Sequence, residues 1–192
     1  MKKAIIIFCL ALTSSLTTFA QNAIHCLIKT SMGDIAIELY PAKAPVTVAN
    51  FMKYVDKKAY NGSSFFRVCT PVNEAPRKVK IQVIQGGNVP DSLILDSIKI
   101  ETTKLTGLKH QNGTLSMARS GPNSATSEFF ICIGNQPALD YGGARNPDGQ
   151  GFAAFGKVTA GMDVVKTIQS QKDKNQYLIE PVKILEISRV EE

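Results

Sequence analysis

Apolar and polar residues alternate along residues 24–40, IHCLIKTSMGDIAIELY, so that Ile35, Ile37 and Leu39 share one face of a strand. Residues 31–34 supply the turn, and the stretch predicts a hairpin. The period then changes. Pro45 stands where the first turn of a helix accepts it, and Val48, Phe51, Met52, Val55 and Ala59 recur at helical spacing, with Lys53, Asp56 and Lys57 opposite them. That apolar stripe predicts a helix packed on a core.

After an Asn-Gly-Ser loop at 61–63, residues 65–69 read as a short strand that carries Arg67. Residues 71–80 are polar and contain proline, which predicts an exposed loop. Residues 80–85 alternate as a strand and run into Gly86-Gly87, whereas residues 88–112 show no usable pattern beyond apolar Leu93 to Leu95. Strands at 114–118 and 128–133 flank a Gly/Pro/Asn/Ser loop. Residues 135–151 form a long loop without a core of its own, of the kind that is usually functional or mobile. A strand at 151–158, a short amphipathic helix at 162–168 and a strand at 178–189 complete the chain. Many short strands, two helices and long loops predict a mainly β fold, a barrel or sandwich with helices covering its ends.

Length and composition fit one domain with a sizeable core: 192 residues, 44% apolar and 20% charged. The first twenty residues differ from the rest. Lys2 and Lys3 precede an apolar run from Ala4 to Leu12, and Thr18 and Ala20 place small residues at a cleavage site. This reads as a secretory signal peptide over residues 1–20, too short for a membrane span. The domain then occupies 21–192, and a periplasmic address in a bacterium is expected. Loss of Lys2 and Lys3 lowers the formal charge from +6 to +4. The basic residues are spread out, which points to neither nucleic acid nor a membrane surface as a partner. Cys26, Cys69 and Cys132 lack paired spacing and are expected to be buried free thiols.

Several chemistries lack their residues. His25 and His110 stand outside any cluster with ligand spacing, so no metal centre is expected. No Gly-x-Ser-x-Gly elbow occurs. Residues 149–154, GQGFAA, match a dinucleotide fingerprint in letters, but a strand rather than a helix should follow them.

What remains is a series of fragments: FFR at 65–67, QGG at 85–87, LSMAR and GPNSATSEFFI between 115 and 131, LD at 139–140, then GFAAFGKV and GMDVV. Singly, each is bland; an arginine after two phenylalanines is usually a strand residue with its head in water. In this order they resemble the cyclophilin family of peptidyl-prolyl isomerases, and the likeness extends over nearly all of residues 24–190. It implies an eight-stranded antiparallel β-barrel capped by two α-helices. It also implies catalysis of X-Pro rotation without a cofactor, acting as a monomer on proline-containing segments of unfolded or partly folded proteins.

By the same resemblance, Arg67 matches the catalytic arginine and Phe66 a residue that walls the site. Gln85 matches the glutamine that orients the arginine, Val83, Phe130 and Leu139 the lining of the proline pocket, Ala118 and Arg119 the edge that meets the peptide backbone, and Phe152 a residue that closes the pocket. The chain departs from the pattern at Gln82 and Ala138, where aromatic residues are usual, and at Glu128, where Gln is frequent. The segment between Arg67 and Gln85 is also longer by about ten residues than the family's minimal form. Gln82 and Ala138 leave open a second reading, a module that binds proline segments with little turnover.

Overall fold

The computed structural model describes residues 23–190; the expected signal peptide lies outside them. Among the described residues nine strands form one antiparallel sheet: β1 (Ile24–Thr30), β2 (Gly33–Leu39), β3 (Ser64–Cys69), β4 (Val83–Gly86), β5 (Thr114–Met117), β6 (Phe129–Cys132), β7 (Ala153–Ala160), β8 (Asp173–Lys174) and β9 (Tyr177–Arg189). Their order is β1-β2-β7-β5-β6-β4-β3-β9, and β9 pairs back onto β1, with Ile28 opposite Ile187, so eight strands close a barrel. Closure leaves those strands no bare edge. The two-residue β8 pairs only with β9.

Alternation along each strand decides what fills the barrel. Ile28, Ile35, Leu39, Phe65, Ile84, Leu115, Phe129, Ile131 and Phe155 are fully buried in one continuous core. Helix α1 (Pro45–Asp56) adds Val48, Phe51 and Tyr54 to it. The Phe51 ring meets Phe129 edge-on at 5.4 Å and tilts against Phe155 at 5.2 Å, contacts worth about 0.5–1.5 kcal/mol each beyond area burial. Helix α3 (Met162–Gln169) buries Val165 and Ile168 and packs against β2, β3 and β4.

Three expectations need correction. The helical stripe ends at Asp56; Lys58 takes a positive φ of 55° and Ala59 reaches the core from the turn that follows. The strand expected from residue 80 starts at Val83. A third helix, the single turn α2 (Thr103–Thr106), lies in the unpatterned stretch and stops at Gly107, whose φ is 71°. That stretch is ordered by distant partners. The Glu101 carboxylate accepts from the Val46 and Thr47 backbone N–H groups at 3.1 and 2.8 Å, capping α1 where Ala44 offers no side-chain oxygen. The Leu95 N–H donates to the Tyr54 hydroxyl at 2.9 Å. Among the described residues no helix is long and apolar enough to cross a membrane.

Candidate active site

The same alternation builds a second apolar cluster on the outer face of the barrel wall. Where Val68, Ile84 and Phe129 point inward, their neighbours Cys69, Val83 and Phe130 point outward and join Ile81, Cys132 and Leu139, with Ala118 and Phe152 packed against them. This cluster floors a groove of about 460 Å³ whose rim carries Arg67, Gln85, Arg119 and Glu128. Phe130 is 4% exposed, and the Phe152 ring stands edge-on to it at 5.3 Å. A hollow with an apolar floor and polar groups on its rim is the result.

Arg67 is half-buried on β3, opposite Gln85 on β4. Its Nη1 donates to Gln85 Oε1 at 2.8 Å, and its Nε and Nη2 donate to Gln176 Oε1 at 3.1 and 2.6 Å. Gln85 Nε2 donates in turn to Glu128 Oε2 at 2.8 Å. An ionised carboxylate only accepts, so Glu128 fixes the Gln85 amide with its oxygen toward the guanidinium.

Of the residues expected at the site, Arg67, Val83, Gln85, Ala118, Arg119, Phe130, Leu139 and Phe152 all line the groove. Phe66 does not. A bulge lies between Phe65 and Arg67, and the Phe66 ring stacks on Tyr177 at 6.3 Å beside the site. The Arg119 side chain is occupied within the protein: it forms a two-point ion pair with Asp148 at 2.8 and 2.9 Å, donates to the Gly151 carbonyl and lies 5.2 Å over the Phe152 ring. Arg119 thus holds the 146–151 loop and Phe152 against the pocket. Its bonds keep the Asp148 carboxyl at about 2, well below the usual range. The GQGFAA letters run from this loop into strand β7, which begins at Ala153, and Gly151 has a φ of 65° where a side chain would meet the Leu139 carbonyl at 2.5 Å.

Beneath Phe130 lies a constellation that the sequence did not disclose. His110 Nδ1 bonds Asp140 at 2.8 Å, its Nε2 bonds the Ser116 hydroxyl at 2.9 Å, and its ring stacks under Phe130 at 6.0 Å. This is the order of a hydrolase triad, but Ser116 is fully buried and no scissile carbonyl can reach it. The three residues support the pocket floor. Burial pushes the Asp140 carboxyl up, and the bonds from His110 overcome this and hold it low.

The segment at 71–80 also departs from expectation. Most of it is exposed, but Glu74 is fully buried. Arg145 forms a two-point pair with it at 2.5 and 3.1 Å, Arg77 Nε lies 3.2 Å away, and the Ile81 N–H donates at 3.2 Å. Gln176 Nε2 donates to Glu74 at 2.5 Å. Burial pushes the Glu74 carboxyl up, yet Arg145 and these bonds more than offset that and hold it below its usual value. Arg77, Ile81, Arg145 and Asn146 consequently wall the groove. Gln176 itself sits in the two-residue turn joining β8 and β9, where Asn175 and Gln176 have φ of 55° and 75°. That conformation costs a residue with a Cβ about 1–2 kcal/mol, and glycine is its usual occupant. Among the described residues no group of three or more His, Cys, Asp or Glu could hold a metal ion.

Residues 25–189 match the family model described as cyclophilin type peptidyl-prolyl cis-trans isomerase/CLD. A peptidyl-prolyl cis-trans isomerase of Acinetobacter baylyi is 42% identical over 146 residues, covering 73% of this chain and 69% of the relative. Peptidyl-prolyl cis-trans isomerase A of Dickeya dadantii is 35% identical over 176 residues, covering 90% of this chain and 85% of that one. A crystal structure of a Cryptosporidium parvum cyclophilin matches the fold with a TM-score of 0.71 at 24% identity, over 88% of this chain and 99% of its own. Barrel, groove and relatives agree, and the chain belongs to the cyclophilin-type peptidyl-prolyl cis-trans isomerases.

Proposed function

We propose that Arg67 is the catalytic arginine of this isomerase, that the hollow over Phe130 grips the proline ring, and that the substrates are X-Pro bonds of exported proteins during folding. Rotation of a peptide bond breaks amide resonance against a barrier of about 18–20 kcal/mol. Both isomers of X-Pro occur, and uncatalysed exchange takes about tens of seconds or longer. In the twisted transition state the prolyl nitrogen becomes pyramidal and regains a lone pair. A guanidinium N–H aimed at that nitrogen favours the transition state over the planar ground state, the differential binding that catalysis requires.

The observation that carries this reading is the Arg67 head held by Gln85 and Gln176 at the rim of a groove with an apolar floor. A guanidinium carries five N–H bonds; three are engaged, which leaves one on each Nη for a substrate. Phe130, Leu139, Val83 and Phe152 supply a surface that holds a ring still while the acyl side turns. Export rests on the charged and apolar pattern of residues 1–20.

Exchange spectroscopy on an Ala-Pro-Phe peptide tests the activity: the protein should merge the cis and trans signals at substoichiometric amounts, and binding without faster exchange would refute it. Fractionation with amino-terminal sequencing tests export. A periplasmic chain starting at Gln21 is expected; a cytoplasmic chain retaining residues 1–20 would refute that part.

A further inference from the structure

We infer that Gln176 and the buried Glu74 are positioning residues for Arg67, so that the long segment between β3 and β4 belongs to the catalytic apparatus. The inference rests on the reading of Arg67 as the catalytic arginine.

Two glutamine–carboxylate pairs hold the guanidinium from two sides. On one side Glu128 accepts from Gln85, whose oxygen receives Arg67 Nη1. On the other, Glu74 accepts from Gln176 Nε2, and the Gln176 oxygen receives Arg67 Nε and Nη2. The logic is identical. An ionised carboxylate has no proton to give, so the glutamine must turn its NH₂ group toward the acid and its carbonyl oxygen toward the arginine. Without the acid either amide could rotate by half a turn and set N–H against N–H.

Glu74 can do this without drawing Arg67 away from the groove. Its charge is met by Arg145 and Arg77, so what reaches Arg67 is an oriented amide dipole rather than a competing carboxylate. Burial makes the arrangement stiff: Glu74 is fully buried and Gln176 is 7% exposed. The backbone at Gln176 supplies an independent sign. Position 176 has a φ of 75°, in a turn with Asn175 that glycine would fill without strain. A strained residue persists where the surroundings and its side chain require it, and this side chain joins Glu74 to Arg67.

The test uses Gln176→Gly, which creates an Asn-Gly turn suited to the backbone and removes the bridging amide. Measured by exchange spectroscopy at saturating peptide, kcat should fall roughly tenfold to a hundredfold, the scale of a misplaced catalytic group, with KM little changed. Placed in an Arg67→Ala background, the same change should have no further effect. An unchanged kcat in Gln176→Gly overturns the inference, as does an equal loss in both backgrounds. If Arg67→Ala leaves the rate untouched, the reading of Arg67 falls together with this one. If Arg67→Ala is slow and Gln176→Gly is not, only the present inference falls. The unaltered protein offers a second measurement: the Arg67 Nε–H resonance should show slow solvent exchange and hindered guanidinium rotation, and a freely rotating, rapidly exchanging head would overturn the proposal without any variant.

Discussion

Replacing Arg67 with alanine removes the only cation in hydrogen-bond contact with Gln85 and Gln176 among the described residues, and leaves the Phe130 pocket in place. Bringing a process of tens of seconds below a millisecond takes about five powers of ten, or roughly 7 kcal/mol. One donor aimed into a water-poor site contributes about 3–4 kcal/mol, and ring immobilisation and exclusion of water by the pocket must supply the remainder. The expected loss is therefore about a hundredfold to a thousandfold in kcat/KM. A residual rate above the uncatalysed one should persist. Three hydrogen bonds disappear, but a half-buried site admits water to the freed glutamine oxygens. A net loss of about 1 kcal/mol would lower Tm by roughly 2–4 °C. Cis–trans exchange of an Ala-Pro-Phe peptide, read beside a melting curve, decides the matter. Activity within a few-fold of the unaltered protein would refute the role of Arg67, and loss of activity together with collapse of the fold would make the arginine structural.

Other outcomes follow from the buried groups. The folded-state pKa of Glu74 lies below the usual glutamate value, so Glu74 stabilises the fold fully above that value and loses this as pH falls through its lowered folded value. Urea midpoints should therefore drop as pH falls below the ordinary glutamate value of about 4.3, and Glu74→Gln should flatten that slope; equal slopes would refute the assignment. Burial pushes the Cys26 and Cys69 thiols up to about 11 and Cys132 higher still. All three should ignore a thiol reagent at pH 8 in the native protein and react after unfolding; prompt labelling of Cys69 or Cys132 in native protein would show that the outer cluster opens.

Strands were legible because alternation is local, whereas the groove floor was expected only from the resemblance to cyclophilins. Ile84 and Phe129 fall inside and Val83 and Phe130 outside by the same period, so the barrel core and the pocket arise from one pattern. Arg67, Gln85 and Phe130 were found through their motifs. Glu74 was not, because its burial depends on Arg145 and Gln176, which lie 71 and 102 residues away in the chain; a polar stretch containing proline gives no local sign of such partners. Glu101 escaped for the same reason, since the helix end it caps lies 54 residues earlier. Phe66, expected at the site by resemblance alone, lies at a bulge and stacks on Tyr177 beside the groove.

The meeting of β1 with β9 has a consequence for when this enzyme can begin to work. Arg67 sits opposite Tyr177 at the start of the last strand, and Gln176 immediately precedes that strand. Until the carboxy-terminal strand docks, β3 has no neighbour on that side and the guanidinium lacks Gln176 as a hydrogen-bond partner. A chain still emerging from its ribosome thus has an unfinished wall beside Arg67, and, on the role proposed for that residue, the docking of the last strand also completes the site.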